Sequence, residues 1–265
     1  MTEPPAATAD DAGLPGRHTD AGRRDPFATH IPGIAVTVDS AAVRVTSRRP
    51  LRVLSSALVG DGLDETREIV NMHVDDVAPD ASPERVLRAF AARLGIDEPF
   101  VGLMTAAATE HARLAVAAEG ALTVAVVVSV GLSNTVCAGV TAPAAPPPAP
   151  TPSAAPSAPP APGTINVVLL LDAELTPAAM VNAVITATEA KTMALGEWKV
   201  LDPGGAPASG TSTDAVVVAC TRRGAALDYA GPGTTIGYLA ARAVREAIGR
   251  ICREKIARDG GRVGW

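Results

Sequence analysis

Small clusters of hydroxyl, amide and acidic residues stand at the ends of apolar runs in this chain. They include Ser55-Ser56, Thr105, Ser133-Asn134, and Thr211, Thr213 and Asp214 just ahead of "AVVVAC". In open α/β sheets, ligands sit at strand ends of this kind. Groups of these types can supply a nucleophile, donors for an oxyanion and an orienting acid. Glu189 is a lone carboxylate on an otherwise apolar helix, and burial would raise its pKa into the range of a general base. The plainer alternative is a carboxylate tied up by helix caps. Asp214 could orient a base or cap a turn. Thr211 and Thr213 could bind an oxyanion or belong to an ordinary turn. His73 could exchange protons, as imidazoles do in catalysis, or sit on a helix surface; His111 reads as surface.

Ser55 and Ser56 are candidate nucleophiles without a GxSxG elbow, or strand-end hydrogen-bond partners. Thr164 follows Gly163 directly. It could start a strand, or become a nucleophile whose own amine is the base once self-cleavage frees it. Asn166 and Asn182 interrupt apolar segments and suit amide recognition or a buried network. A metal-activated water held by Glu189, Asp214 and His73 is a further route, although no metal-binding spacing accompanies these residues.

The elements that must position these groups centre on Gly163–Leu195. Val167 to Leu171 is a run of five aliphatics, the mark of a strand covered on both faces. Thr176-Pro177 reads as an N-cap followed by proline at the first helical position. On the helix that follows, Asn182, Thr186, Glu189 and Met193 fall within roughly 60° of one another, a polar stripe that either joins a buried network or lines a pocket. Lys191 lies roughly opposite Glu189, so a straight helix cannot turn both toward one ligand.

Earlier in the chain, alternation at Val36 and Val38, then Val43 and Val45, then Leu51 and Val53, predicts successive strands, the first two joined by a tight turn near Asp39. "GDG" is a turn, and "LDETREIVNMHV", which carries Asn71 and His73, has helical spacing. "SPERVLRAFAARLG" is a helix with Ser82 as cap and Gly95 as stop. "FVGLMTAAA" is a strand ending at Thr105, and a hairpin turns at Glu119-Gly120. Ala215–Cys220 is a strand, and a terminal helix runs from about Thr234 to Ala257. Residues 1–29 read as a disordered tail, 141–162 as a Pro/Ala-rich exposed insertion and 259–265 as a tail, around a single layered α/β domain over residues 30–258.

Composition narrows the class. Aromatics are only 3% while hydrophobics reach 47%, so the core is built of Ala, Val, Leu and Ile, which favours layered α/β over a β-sandwich. With 28 acidic against 23 basic residues and no basic block, nucleic acid is not an expected partner. Cys137, Cys220 and Cys252 make neither a disulfide frame nor a CxxC motif. No apolar run reaches membrane-spanning length, and the acidic start lacks a secretory h-region, so a cytoplasmic chain with no membrane partner is expected.

Several segments, in order, resemble the adenosylcobinamide amidohydrolase family: "SSALVGDGL", "IVNMHV", "VGLMTAA", "VSVGLSN", "GTINVVLLLDAELTPAAMVNAVITATEAKTMAL" and "GTSTDAVVVAC". They cover roughly Leu51 to Ala219. The resemblance implies a corrinoid-salvage hydrolase that cuts the aminopropanol amide of adenosylcobinamide, releasing adenosylcobyric acid and (R)-1-amino-2-propanol. The small-molecule corrinoid is then substrate rather than cofactor, and a divalent metal stays open. Glu189, Asp214, Thr213, Ser56 and His73 are the catalytic candidates. Ser55, Asn71, Thr105, Asn166, Asn182, Thr186 and Thr211 are the substrate-binding candidates. The alternative is a corrinoid-binding module without catalysis, which would use the same Asn and Thr groups.

Overall fold

A computed structural model of the chain describes residues 27–75, 82–143 and 163–258. The expected N-terminal tail, apart from its last residues, most of the Pro-rich insertion and the C-terminal tail lie outside the described residues.

In chain order the elements are β1 (Ile34–Val38), β2 (Ala42–Ser55), β3 (Gly62–His73), α1 (Pro83–Arg93), β4 (Val101–Thr105), β5 (Arg113–Glu119), β6 (Leu122–Val130) and β7 (Thr135–Val136). There follow β8 (Ile165–Leu171), β9 (Glu174–Leu175), α2 (Pro177–Glu197), β10 (Gly210–Thr211), β11 (Ala215–Cys220), β12 (Ala226–Leu227) and α3 (Thr235–Arg258). Among the described residues the main sheet runs β4-β3-β2-β11-β8-β6-β5, with β1 paired to β2. β8 lies parallel to β11, and β3 parallel to β4; the other ladders of this sheet are antiparallel. This mixed α/β layering is the expected class.

Period-two alternation divides the sheet into two apolar faces. Val126, Val128, Val167, Leu169 and Val218 pack against α2 and α3. Val53, Ile69, Leu103, Val127, Leu170 and Val217 fill a second core on the opposite face. β8 is buried along its whole length because both faces are covered. α1 covers a smaller cluster around Val70 and Phe100. No helix among the described residues is long and apolar enough to cross a membrane.

Helix boundaries follow the caps. The Thr176 hydroxyl accepts from Ala179 N at 3.2 Å, with Pro177 in the first turn, and Ser82 caps α1 from Arg85 N at 3.4 Å. Gly95 ends α1 at φ +68°.

Two segments depart from expectation. Gly62–His73 is strand β3, not a helix. Its residues pair with β2 from Gly62 to Met72 and with β4 from Ile69 to His73. Two flanking ladders take up its backbone groups, a tertiary gain that outweighs a short helical period. The separate strands expected at Val43–Val45 and Leu51–Leu54 are one long strand, β2, whose register with β3 shifts between Thr46 and Leu51.

Candidate active site

The inward-facing positions of the second core change character at one end of the sheet. Along β8, Leu170 and Val168 give way to Asn166. Along β6, Ala125 and Val127 give way to Ser129, and along β3, Ile69 gives way to Asn71. A layer of amides and hydroxyls therefore lies on top of an apolar core. The sheet curls enough that Asn71 of β3 donates to the Ser129 hydroxyl of β6 at 2.8 Å, although three strands separate them in the ladder.

Asn166 is the hub. Its Nδ2 donates to Asn71 Oδ1 at 2.9 Å and to the Met104 carbonyl at 2.8 Å, while its Oδ1 lies 3.2 Å from the Thr164 hydroxyl. Asn71, Ser129, Thr164 and Asn166 are all buried, so these bonds replace solvent for groups that cannot reach it.

Beside the hub, the turn before β11 meets the start of β8. The Thr164 hydroxyl donates to the Thr213 carbonyl at 2.8 Å, and the Thr213 hydroxyl donates to the Gly163 carbonyl at 2.8 Å. One carboxylate anchors both segments. Asp214 accepts from Ile165 N at 3.0 Å, from Thr211 N at 3.1 Å, from the Thr211 hydroxyl and from Lys191 Nζ. Lys191 is only 7% exposed.

Above these contacts opens a cleft of about 430 Å³. Its wall is made by Ser56, Ala57 and Leu58 after β2, Leu103 to Ala106 at the end of β4, Asn134, Gly163, Thr164 and Asn166, and Ser212, Thr213 and Ala215. Among the described residues the polar part of this wall is hydroxyl and amide; no Asp, Glu, His, Lys or Cys lines it. The Ser56 hydroxyl accepts from Val216 N at 3.1 Å, and the Ser212 hydroxyl accepts from Asn134 Nδ2 at 2.8 Å. Each serine oxygen thus accepts one hydrogen bond and retains a hydroxyl proton of its own.

The expected residues thus divide. Ser56, Thr105, Asn166 and Thr213 line the cleft, with Asn71, Thr211 and Asp214 directly behind it. Ser55 points inward and accepts from Ala57 N at 3.0 Å, shaping the strand end. His73 closes β3, with Nδ1 at 3.1 Å from the Ala107 carbonyl and Nε2 at 3.2 Å from Asp75; it is a strand-end residue, not one on a helix surface.

The stripe on α2 does not face the cleft as a unit. Glu189 and Met193 are exposed and Asn182 is half-buried. Thr186 is buried and donates to the Ala230 carbonyl at 2.9 Å, which ties α2 to the turn before α3. Glu189 does not meet the expectation of burial, because the apolar residues of α2 that pack inward lie on the other side of the helix. Nor do Glu189, Asp214 and His73 assemble a ligand set: among the described residues, no three His, Cys, Asp or Glu side chains group to hold a metal ion.

Lys191, Ser129 and Ser212 were not among the expected site residues, and Asn134 stood in one of the strand-end clusters without an assigned role. Lys191 had a signal: a lone cation amid Ala187, Ala190, Ala194 and Leu195 requires a buried partner. Ser129 carries none, since only the curl of the sheet brings it to Asn71, whereas Ser212 stands between two expected residues, Thr211 and Thr213.

The family model for adenosylcobinamide amidohydrolase matches residues 29–259. An adenosylcobinamide amidohydrolase of Halobacterium salinarum is 39% identical over 175 residues, 66% of this chain and 68% of its own. Another, of Methanosarcina mazei, is 32% identical over 204 residues, 74% of this chain and 86% of its own.

Proposed function

The chain belongs to the adenosylcobinamide amidohydrolase family, and we propose that the cleft described above is where it hydrolyses its substrate amide. The reaction adds water across the bond between the corrinoid propionyl arm and aminopropanol, giving adenosylcobyric acid and 1-amino-2-propanol. The protein is a hydrolase of an amide bond in corrinoid salvage.

The observation that supports this placement is convergence. The segments "SSAL", "IVNMHV", "VGLMTAA", "GLSN", "GTIN" and "GTSTD", spread over the chain, meet at this one cleft through Ser56, Asn71, Thr105, Asn134, Asn166 and Thr213. A polar floor under an apolar mouth matches an amide-bearing arm on a large macrocycle. Leu58, 48% exposed at the cleft, offers apolar surface to the ring, and Asn166 and Thr105 belong to the polar part of the wall.

Ser56 and Ser212 both line the cleft, and their hydroxyls are the donors we assign to the substrate carbonyl, where charge develops as the tetrahedral intermediate forms. Asp214 contributes by holding the Thr211–Thr213 turn against the start of β8, since its carboxylate is already engaged by four donor groups.

Incubating the full chain with adenosylcobinamide and following adenosylcobyric acid by mass spectrometry tests the reading. Product should form, and Ser212→Ala should slow it by roughly 10²–10³, as for loss of an oxyanion donor. Substrate that remains intact while raising the melting temperature would point to a binding module instead.

A further inference from the structure

We infer that the chain cuts itself between Gly163 and Thr164, and that the hydroxyl and amine thereby exposed on Thr164 are nucleophile and base for the amide hydrolysis. The second half rests on the placement of the reaction in this cleft; the first does not.

The cleft needs a base that its wall does not supply. Amide hydrolysis requires a group to take a proton from the attacking oxygen and return it to the leaving amine. Among the described residues, no side chain lining the cleft titrates near neutrality. An α-amino group does, at about 7.7–8.0, and Thr164 lines the cleft.

The peptide bond before Thr164 is also arranged to be cut. The Gly163 carbonyl receives the Thr213 hydroxyl at 2.8 Å, which polarises it and would stabilise an oxyanion there. The Thr164 hydroxyl lies between two acceptors, the Thr213 carbonyl at 2.8 Å and Asn166 Oδ1 at 3.2 Å, so its proton is drawn aside and its lone pairs are left for attack. Gly163 is packed so closely that a Cβ would stand 2.5 Å from Asn134 Oδ1 and 2.6 Å from Ser133 Oγ. That same Asn134 Oδ1 is buried with no hydrogen-bond partner among the described residues. A buried orphan acceptor is costly, and a new amine one residue from Gly163 would supply it with donors.

The chemistry balances with one water. Thr164 Oγ1 attacks the Gly163 carbonyl carbon, its proton passes to Thr164 N, and the C–N bond breaks to leave an ester. Water then hydrolyses the ester to a Gly163 carboxylate and a Thr164 that carries a free hydroxyl and a free amine. The new terminus stays anchored, since the Thr164 carbonyl accepts from Gly131 N at 2.8 Å and Ile165 N remains on Asp214 at 3.0 Å. In the substrate reaction, Thr164 Oγ1 attacks the propionyl carbonyl and the amine carries its proton to the departing aminopropanol. Water then clears the acyl ester.

Intact-mass spectrometry of the purified full chain tests this. Two fragments are expected, residues 1–163 and 164–265, with masses that sum to the chain plus one water, the second beginning Thr-Ile-Asn. Thr164→Ala should stay in one piece and lose amide hydrolysis by at least about 10³-fold, whereas Thr164→Ser should still split. An intact wild-type chain that hydrolyses adenosylcobinamide would overturn the inference and leave the family reaction standing. A split chain that leaves adenosylcobinamide uncut would uphold self-cleavage and sink the proposed use of the cleft.

Discussion

Lys191, on the inward side of α2, donates its ammonium to the carboxylate of Asp214, and the lysine side chain is 9% and the aspartate side chain 14% exposed. The two partners are not equivalent. Asp214 has three other donors, from Ile165 N, Thr211 N and the Thr211 hydroxyl, whereas among the described residues the Lys191 ammonium is bonded to Asp214 alone. Asp214→Ala should therefore strand a buried cation and release the turn, costing roughly 3–5 kcal/mol. Lys191→Met should cost less, because the carboxylate stays hydrogen-bonded. Urea unfolding of both variants checks the order, and equal losses would refute it.

Glu189→Gln should keep amide hydrolysis within about twofold of wild type, in line with a surface substitution away from the cleft. Its side chain is exposed on α2. Initial rates on adenosylcobinamide decide this, and loss of turnover would show that the carboxylate does reach the substrate.

Gly163→Ala should be active-site lethal before it is fold-lethal. The added methyl would press on Asn134 Oδ1 and Ser133 Oγ, costing about 1–3 kcal/mol of overpacking. The displacement of Thr164 should cut activity by about 10²-fold. A melting curve beside the rate separates the two effects.

Asn166→Ala removes partners from Asn71 Oδ1, the Met104 carbonyl and the Thr164 hydroxyl together. Leaving buried polar groups unsatisfied costs roughly 1–3 kcal/mol each, so the loss of stability should exceed that of Asn182→Ala, whose side chain is only half-buried. Thermal unfolding of the pair tests it.

Burial pushes the Cys220 and Cys252 thiols up to about 12 from an ordinary 9.0. Between those values the unfolded chain sheds thiol protons that the folded chain retains. Stability is thus fully present below about pH 9 and falls as pH rises, by up to about 1.4 kcal/mol per pH unit for each thiol. Cys220→Ala/Cys252→Ala should flatten the alkaline limb of a stability–pH curve. In the native protein at pH 8, a thiol reagent should find half-buried Cys137 first.

Local rules made much of this protein legible in sequence. The aliphatic run of β8, the Thr176-Pro177 cap, the Ser82 cap of α1 and the Asp39 turn depend on neighbours a few residues away, and each formed as expected. The ordered segments also carried the family. Tertiary structure decided the rest. Gly62–His73 became a strand because β2 and β4 flank it, which no local window records. The roles of α2's polar residues were set by which side of the helix meets the sheet. That turned Lys191 inward onto Asp214 and left Glu189 in solvent, although the two lie on one helix two residues apart. The polar layer of Asn71, Ser129 and Asn166 exists because a curled sheet folds β3 over toward β6, and curvature is a property of all the strands together.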